Sequence, residues 1–144
     1  MNIYSKAVIK GSVKHPEIIG YAAFIPSDGK TMVSLSVYGL PKGSDIFALH
    51  IHEGTSCTGS SSDPFADTKS HYDTAGSPHP YHTGDLPPIF SEDGTSRFAF
   101  LTGKFTPEEI IGKTIVIHAM PDDFHSQPSG NSGEKIACGV IEKM

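Results

Sequence analysis

Two histidines separated by one residue form the first metal-binding pattern in the chain. His50 and His52 alternate with Phe47, Leu49 and Ile51. Successive side chains of a β-strand point to opposite faces, so both imidazoles share one face and the apolar residues share the other. Two imidazoles on a rigid strand can chelate a metal, but such a pair alone is more often two ordinary surface histidines.

A long polar loop supplies a second set of donors. His71, His79, His82 and Asp85 follow one another in the order His-x7-His-x2-His-x2-Asp. Three imidazoles and one carboxylate complete a tetrahedral zinc sphere and leave no open position for a substrate water, as in structural zinc sites. The pattern predicts a zinc ion that fixes the loop; the alternative is a flexible, histidine-rich loop.

A further histidine ends an apolar segment. Ile115 and Ile117 are expected to face the core, which sends His118 to the opposite face. With it, six of the eight histidines lie in these three segments, and His15 and His125 have no assigned role. Imidazole-rich sites without thiolate suit copper and zinc.

These donors must be held by strands. Short alternating segments separated by turn residues are typical of an antiparallel sandwich or barrel. Strands are predicted at residues 3–13, 19–25, 31–38, 46–52, 96–102, 113–119 and 135–141. Thr106-Pro107 predicts the start of one short helix. Two long polar segments, 53–88 and 121–133, interrupt the pattern, and such loops are usually functional.

The composition limits the classes of function that the chain can have. The 144 residues correspond to a single domain, 1–144, and the net charge of −5 argues against nucleic acid as a partner. No apolar run is long enough to cross a membrane.

The N-terminus shows no basic and apolar leader, which predicts a cytoplasmic protein, with periplasmic or extracellular locations open if a leader has been removed. Cys57 and Cys138 allow one disulfide or two free thiols, and the missing export signal favours thiols.

Taken together, the motifs resemble those of copper/zinc superoxide dismutases, most closely the bacterial branch. The matching segments, in order, are His50-Ile51-His52-Glu53, Cys57, His71-Tyr72-Asp73, His82-Thr83-Gly84-Asp85-Leu86-Pro87, His118, and residues 133–141. The resemblance extends from about Ser12 to Ile141. It implies an all-β fold: an eight-stranded antiparallel Greek-key β-barrel or sandwich with two long functional loops and the site on its outer wall.

The resemblance also implies the roles of the donors. Copper would be bound by His50, His52, His71 and His118, and zinc by His71, His79, His82 and Asp85, so that His71 bridges the two metals. Asp122 would hold His50 and His79 through their other ring nitrogens. Cys57 and Cys138 would form a disulfide that ties the long loop to the barrel, which reverses the preference for free thiols.

The implied activity is the conversion of superoxide to O2 and hydrogen peroxide by a monomer or homodimer. Copper would carry the electron because zinc has no redox chemistry. His71 would deliver a proton, and Lys135 would attract the anionic substrate. Lys135 stands where the family has a guiding arginine, and lysine lacks the planar fork that can hold an anion through two hydrogen bonds. Together with a short second loop, this predicts a slower dismutase.

Two other classes compete with this interpretation. One is a non-enzymatic copper- and zinc-binding protein of the same fold. The other is a different metalloenzyme built on the His-x-His pattern, such as a cupin or a zinc hydrolase. A cupin would place a glutamate several residues later, whereas Glu53 follows immediately. A metallo-β-lactamase-like hydrolase would require Asp-His after the pair, where this chain has Gly54-Thr55.

Overall fold

The computed structural model describes residues 2–144, which form an almost entirely β structure. Its nine strands are β1 Ser5–Gly11, β2 Ile19–Ser27, β3 Lys30–Tyr38, β4 Ile46–Phe47, β5 Leu49–His52, β6 Ile89–Phe90, β7 Ser96–Thr102, β8 Thr114–His118 and β9 Lys135–Lys143. A 3₁₀-helix covers Ala66–Thr68. The all-β class is confirmed, although the described residues hold nine strands, not eight. Met1, the first residue of the predicted domain, lies outside the described residues.

Seven strands form one antiparallel sheet in the order β5-β8-β9-β1-β2-β3-β7, and β4 and β6 form a second, two-stranded sheet. Only Ala48 separates β4 from the edge strand β5, while β6 contacts the opposite edge strand β7. The small sheet therefore connects the two edges of the large one. The Greek-key description of this connectivity stays a prediction.

The core lies on the inner face of the large sheet, as the alternation predicts. In β3, Val33, Leu35 and Val37 are buried, while Ser34 and Tyr38 are exposed. Other fully buried side chains in the same cluster are Ile9, Phe24, Phe47, Leu49, Ile51, Ile89, Ile115 and Ile117. Each such side chain contributes about 1.5–3 kcal/mol by leaving water. This packing makes the part of the large sheet formed by β5 and β8 rigid.

The predicted strand at 46–52 is interrupted. Phe47 pairs with Ile89 in the small sheet, whereas Leu49 pairs with Ile117 in the large one. Ala48 makes the transition: its N–H donates to the Met120 carbonyl (3.0 Å) and its carbonyl accepts from His118 (2.9 Å). The break arises from this long-range pairing, and the strand β6 that it requires was not predicted.

The predicted helix at Thr106 is wrong, and hydrogen-bonded turns occupy residues 107–112. The capping signal itself is present, because Glu109 N–H donates to Thr106 Oγ1 (3.3 Å) and Thr106 N–H donates to Glu109 Oε1 (2.6 Å). The helix does not continue because Gly112 has φ +90° and its N–H donates to the Ile141 carbonyl of β9 (2.8 Å).

No helix within residues 2–144 is long and apolar enough to cross a membrane.

The long loop after β5 is fastened to the outer face of the sheet. Cys57 and Cys138 form a disulfide, as the resemblance implied, with 5.8 Å between their Cα atoms and a sequence separation of 81. Phe65, Val116 and Cys138 form a small buried cluster beneath the loop. A disulfide that closes a loop of this length contributes about 4–5 kcal/mol in the chain-entropy model. The loop is therefore a fixed part of the structure.

Candidate metal centre

Three histidines project from neighbouring strands on the face away from the core. His50 and His52 come from β5, and His118 ends β8, which pairs with β5. Their exposed fractions are 0, 2 and 3%. The predicted orientation is correct, and the side chains are buried because the two long loops cover this face.

Backbone hydrogen bonds place the loop donors beside β5. His71 forms an isolated β-bridge with His52, and Asp85 forms one with His50. Tyr72 N–H donates to the Ile51 carbonyl (2.8 Å), and Ile51 N–H donates to the Gly84 carbonyl (2.8 Å). Two segments of an otherwise irregular loop thus run along the strand, and their side chains reach the strand histidines.

Two overlapping groups of donor atoms result. One contains His50, His52, His71 and His118, and the other contains His50, His71, His79 and Asp85; within each group the donor atoms lie within 4.8 Å of one another. His82 lies at the edge of the second group, with its Nδ1 3.1 Å from Asp85 Oδ2 and 3.3 Å from His71 Nδ1. The structure therefore brings all seven predicted ligands together, with His50 and His71 in both groups.

Three ring nitrogens in this cluster are buried without a hydrogen-bond partner: His50 Nδ1, His71 Nε2 and His79 Nδ1. His79 Nδ1 lies 3.1 Å from Asp85 Oδ2, but not in hydrogen-bond geometry. An unsatisfied buried polar group costs about 1–3 kcal/mol. Three of them converging in one cluster fit metal coordination, and an all-imidazole and carboxylate donor set suits copper and zinc.

The remaining ring nitrogens are anchored to protein oxygens. Asp122 accepts from His50 Nε2 (2.8 Å) and from His79 Nε2 (2.7 Å), as the resemblance implied. His52 Nδ1 donates to the Lys69 carbonyl (2.8 Å), and His118 Nδ1 donates to the Gly133 carbonyl (3.3 Å). These bonds fix the ring orientations. They leave Nδ1 of His50 without a partner, while Nε2 of His52 and Nε2 of His118 face each other at 3.2 Å. Because Nδ1 carries the proton in both of these rings, both Nε2 atoms present lone pairs to the space between the strands, as two ligands of one metal would.

Asp122 lies against a glycine of the second loop. Gly130 has φ +72°, and an added Cβ would lie 1.9 Å from Asp122 Oδ1. Burial alone would raise the pKa of Asp122, but the hydrogen bonds from His50 and His79 lower it far below its usual range. The carboxylate therefore stays ionised and keeps both histidines oriented.

Three of the buried imidazoles, those of His52, His71 and His118, have lowered pKa values and are neutral at pH 7. Burial lowers the pKa of His71 to about 4, against the opposing effect of Asp85. Burial, and then the neighbouring His50, lower the pKa of His118 to about 3. The pKa of His52 is also well below its usual value, first through burial and then through His118. Neutral rings keep the lone pairs that a metal requires.

A cleft over the first group includes Lys135. This residue lines the cleft together with His52, His71 and His118. Its Nζ donates to Thr68 Oγ1 (2.8 Å), the Lys69 carbonyl (3.1 Å) and the Phe65 carbonyl (3.4 Å). Burial lowers the pKa of Lys135.

Sequence reasoning missed two residues that hold the loop donors. Gln127 forms a reciprocal pair with the backbone of His79: its Oε1 accepts from the N–H (2.9 Å) and its Nε2 donates to the carbonyl (2.8 Å). Lys104 Nζ donates to the carbonyls of His82 (3.2 Å) and Asp85 (3.0 Å). No spacing rule identifies such contacts. The two unassigned histidines lie elsewhere, His15 near Glu134 and His125 exposed beside Asp123.

Comparisons with known proteins agree with this geometry. The copper/zinc superoxide dismutase (SODC) family model matches residues 18–141. The Cu-Zn superoxide dismutase of Deinococcus radiodurans is 38% identical, over 89% of this chain and 79% of its own length. Superoxide dismutase [Cu-Zn] 2 of Aquifex aeolicus is 35% identical, over 87% of this chain and 80% of its own length.

Solved structures show the same fold. A double mutant of a SOD-like protein from Bacillus subtilis superposes with a TM-score of 0.80 at 25% identity, over 95% of this chain and 96% of that one. The clock protein EA4 superposes with a TM-score of 0.80 at 28% identity, over 100% and 98%. With the family match covering most of the sequence and the histidine groups suited to copper and zinc, the chain belongs to the copper/zinc superoxide dismutase family.

Proposed function

We propose that the protein is a superoxide dismutase that converts superoxide to O2 and hydrogen peroxide. The observation that carries this proposal is the convergence of unpartnered imidazole nitrogens beside a cleft, with His50 and His71 shared by two donor groups. Two dismutase relatives at 35–38% identity support it. Cupin and zinc-hydrolase chemistry receives no support from these relatives.

The proposed copper set is the first group, and the proposed zinc set is the second group with His82 in place of His50, because Asp122 already binds Nε2 of His50. His50, His52, His71 and His118 hold copper, and His71, His79, His82 and Asp85 hold zinc. Copper supplies one-electron redox chemistry, whereas zinc supplies charge and structure. His71 belongs to both sets because its Nδ1 faces Asp85 (2.7 Å) and its Nε2 is free of any hydrogen-bond partner.

The chain supplies protons and attraction for the substrate. Dismutation of two superoxide anions consumes two protons and yields one O2 and one hydrogen peroxide. His71 Nε2 is buried at the base of the cleft, where it can hold one of these protons while Asp85 keeps the ring in place. Asp122 and the Lys69 and Gly133 carbonyls keep the other rings oriented during the reaction.

Lys135 provides positive charge in a protein with net charge −5. A lysine has three N–H donors, and the three acceptors around Nζ, on Phe65, Thr68 and Lys69, engage all of them. Lys135 therefore attracts superoxide through charge alone, without a free donor to hold it. This supports a turnover slower than that of relatives with an arginine at this position.

The test is dismutase activity of protein carrying one copper and one zinc per chain. We expect superoxide consumption well above that of buffer, falling when Lys135 is replaced by glutamine and becoming less sensitive to salt. A fully metallated protein with no rate above buffer would reject the enzyme and leave the second candidate, a non-enzymatic metal-binding protein. The engagement of all Lys135 donors is the observation that favours this second candidate.

A further inference from the structure

One residue at the cleft has a backbone conformation that L-amino acids rarely adopt. Lys69 has φ 60° and ψ −142°, a region populated mainly by glycine. Among the described residues, four other non-glycine residues have positive φ, namely Asp28, Asp93, Phe124 and Asn131. None of these lines the cleft, whereas Lys69 does. An unfavourable conformation at a binding site suggests that the side chain there has a use.

The position of Lys69 is fixed by its carbonyl. This oxygen accepts both from His52 Nδ1 (2.8 Å) and from Lys135 Nζ (3.1 Å). It therefore orients one proposed copper ligand and holds the second lysine of the cleft. Because these bonds involve only the backbone of Lys69, any side chain at this position starts from the same place beside the copper ligands.

The Lys69 ammonium differs from that of Lys135 in its partners. Within residues 2–144, the ammonium of Lys69 makes no salt bridge or hydrogen bond, and the residue is exposed. The donors of Lys135 are engaged by the loop. No carboxylate of the described chain lines the cleft. The unpaired ammonium of Lys69 is thus free to attract an anion and to donate to it.

We propose that Lys69 is the residue that donates to the anionic substrate and captures it, while Lys135, whose donors hold the loop, contributes its charge alone. This inference rests on the proposed function, since the anion in turnover would be superoxide. The ligand class is a small monovalent anion. Lys69, in a backbone conformation typical of glycine, thereby supplies the hydrogen-bond donor that an arginine at position 135 would have provided.

Azide, a small monovalent copper ligand, tests this without turnover. The copper- and zinc-loaded protein is titrated with azide, and its dissociation constant is read from the copper absorption bands at low and high salt. We expect Lys69→Gly to raise the dissociation constant about fivefold at low salt and to flatten its salt dependence, since one nearby charge is removed. Lys69→Arg should keep the wild-type value.

Two controls make the result specific. Lys42→Gln removes the same charge from an exposed position outside the cleft, where Lys42 pairs with Asp93 (3.3 Å), and should leave azide binding unchanged. Lys69→Gly keeps the carbonyl and suits the observed φ, so its melting temperature should equal or exceed that of the wild type. Unchanged azide binding in Lys69→Gly, or an equal loss in Lys42→Gln, would overturn the proposal. Azide binding without dismutation would instead reject the proposed function alone.

Discussion

The strand side and the loop side of the metal centre are positioned by different forces. His50, His52 and His118 stand on β5 and β8, whose sheet pairing and buried core side chains exist without any metal. The loop donors depend on a disulfide, a few backbone bridges and the contacts of Gln127 and Lys104. The copper side is thus largely preorganised, while the zinc side must be assembled by closing a loop. Substitutions on one side should therefore affect the two metals unequally.

Removal of the disulfide should have the largest effect and should affect the loop side. Replacing Cys57 and Cys138 by serine should lower the free energy of unfolding by about 4–5 kcal/mol, since the closed 81-residue segment gains freedom in the unfolded chain. Urea unfolding of the metal-free protein measures this. Zinc affinity, from competition with a chelator, should fall more than copper affinity. Equal losses for both metals would contradict the division into two sides.

Asp122 should connect the two sides. Asp122→Asn keeps the shape but can accept from only one of its two histidines, so both His50 and His79 cannot stay oriented. Loss of such an outer partner typically reduces metal affinity about 10–100-fold. We expect both copper and zinc affinity to fall, as measured by competition titrations. An effect confined to one metal would show that Asp122 does not couple the groups.

Acid should destabilise the metal-free protein through both sides. The unfolded histidines bind protons below about pH 6.5, whereas folded His71 and His118 have pKa values of about 4 and 3. The unfolded chain therefore binds more protons between these values, and stability falls as pH falls from about 6.5 to 4. The slope is about 1.4 kcal/mol per pH unit for each such histidine. Stability that stayed flat in urea unfolding across this range would mean that these rings are not buried.

Gln127 should act on the loop side alone. Gln127→Glu still accepts from the His79 N–H but cannot donate to the His79 carbonyl. One lost hydrogen bond corresponds to about 1 kcal/mol, or roughly a fivefold loss of zinc affinity. Copper affinity measured with zinc bound should not change. Unaltered zinc affinity in Gln127→Glu would show that this contact does not position His79.

The sequence predicts the strand side better than the loop side, because strand periodicity is a local property whereas the loop is placed by contacts between residues distant in sequence. Alternation identifies which face of β5 carries His50 and His52, because a strand has a fixed period of two. The strand breaks at Ala48 because of a hydrogen bond to Met120, which is distant in sequence. The helix predicted at Thr106 does not form because Gly112 donates to Ile141, which is also distant in sequence. Local pattern holds no information about such partners.

The same limit of local sequence patterns applies to the metal centre. Ligand types and their order are visible in the sequence, and the resemblance assigned roles to Asp122 and the cysteines. Gln127 and Lys69 gave no signal, because the first acts through a backbone contact across two loops and the second through an unusual φ. Spacing identifies donors, whereas the groups that orient them are found only once the loops are placed.

Replacement of His71 is the sharpest test of the bridged centre, because His71 alone belongs to both proposed metal sets. Metal content and copper spectra would be compared between wild-type protein and His71→Ala after loading with copper and zinc, with His82→Ala as the control on the loop side. We expect wild type to hold one copper and one zinc per chain, His71→Ala to disturb both metals, and His82→Ala to weaken zinc binding alone. A variant at His71 that lost only one metal, with the other bound as in wild type, would contradict the bridged centre.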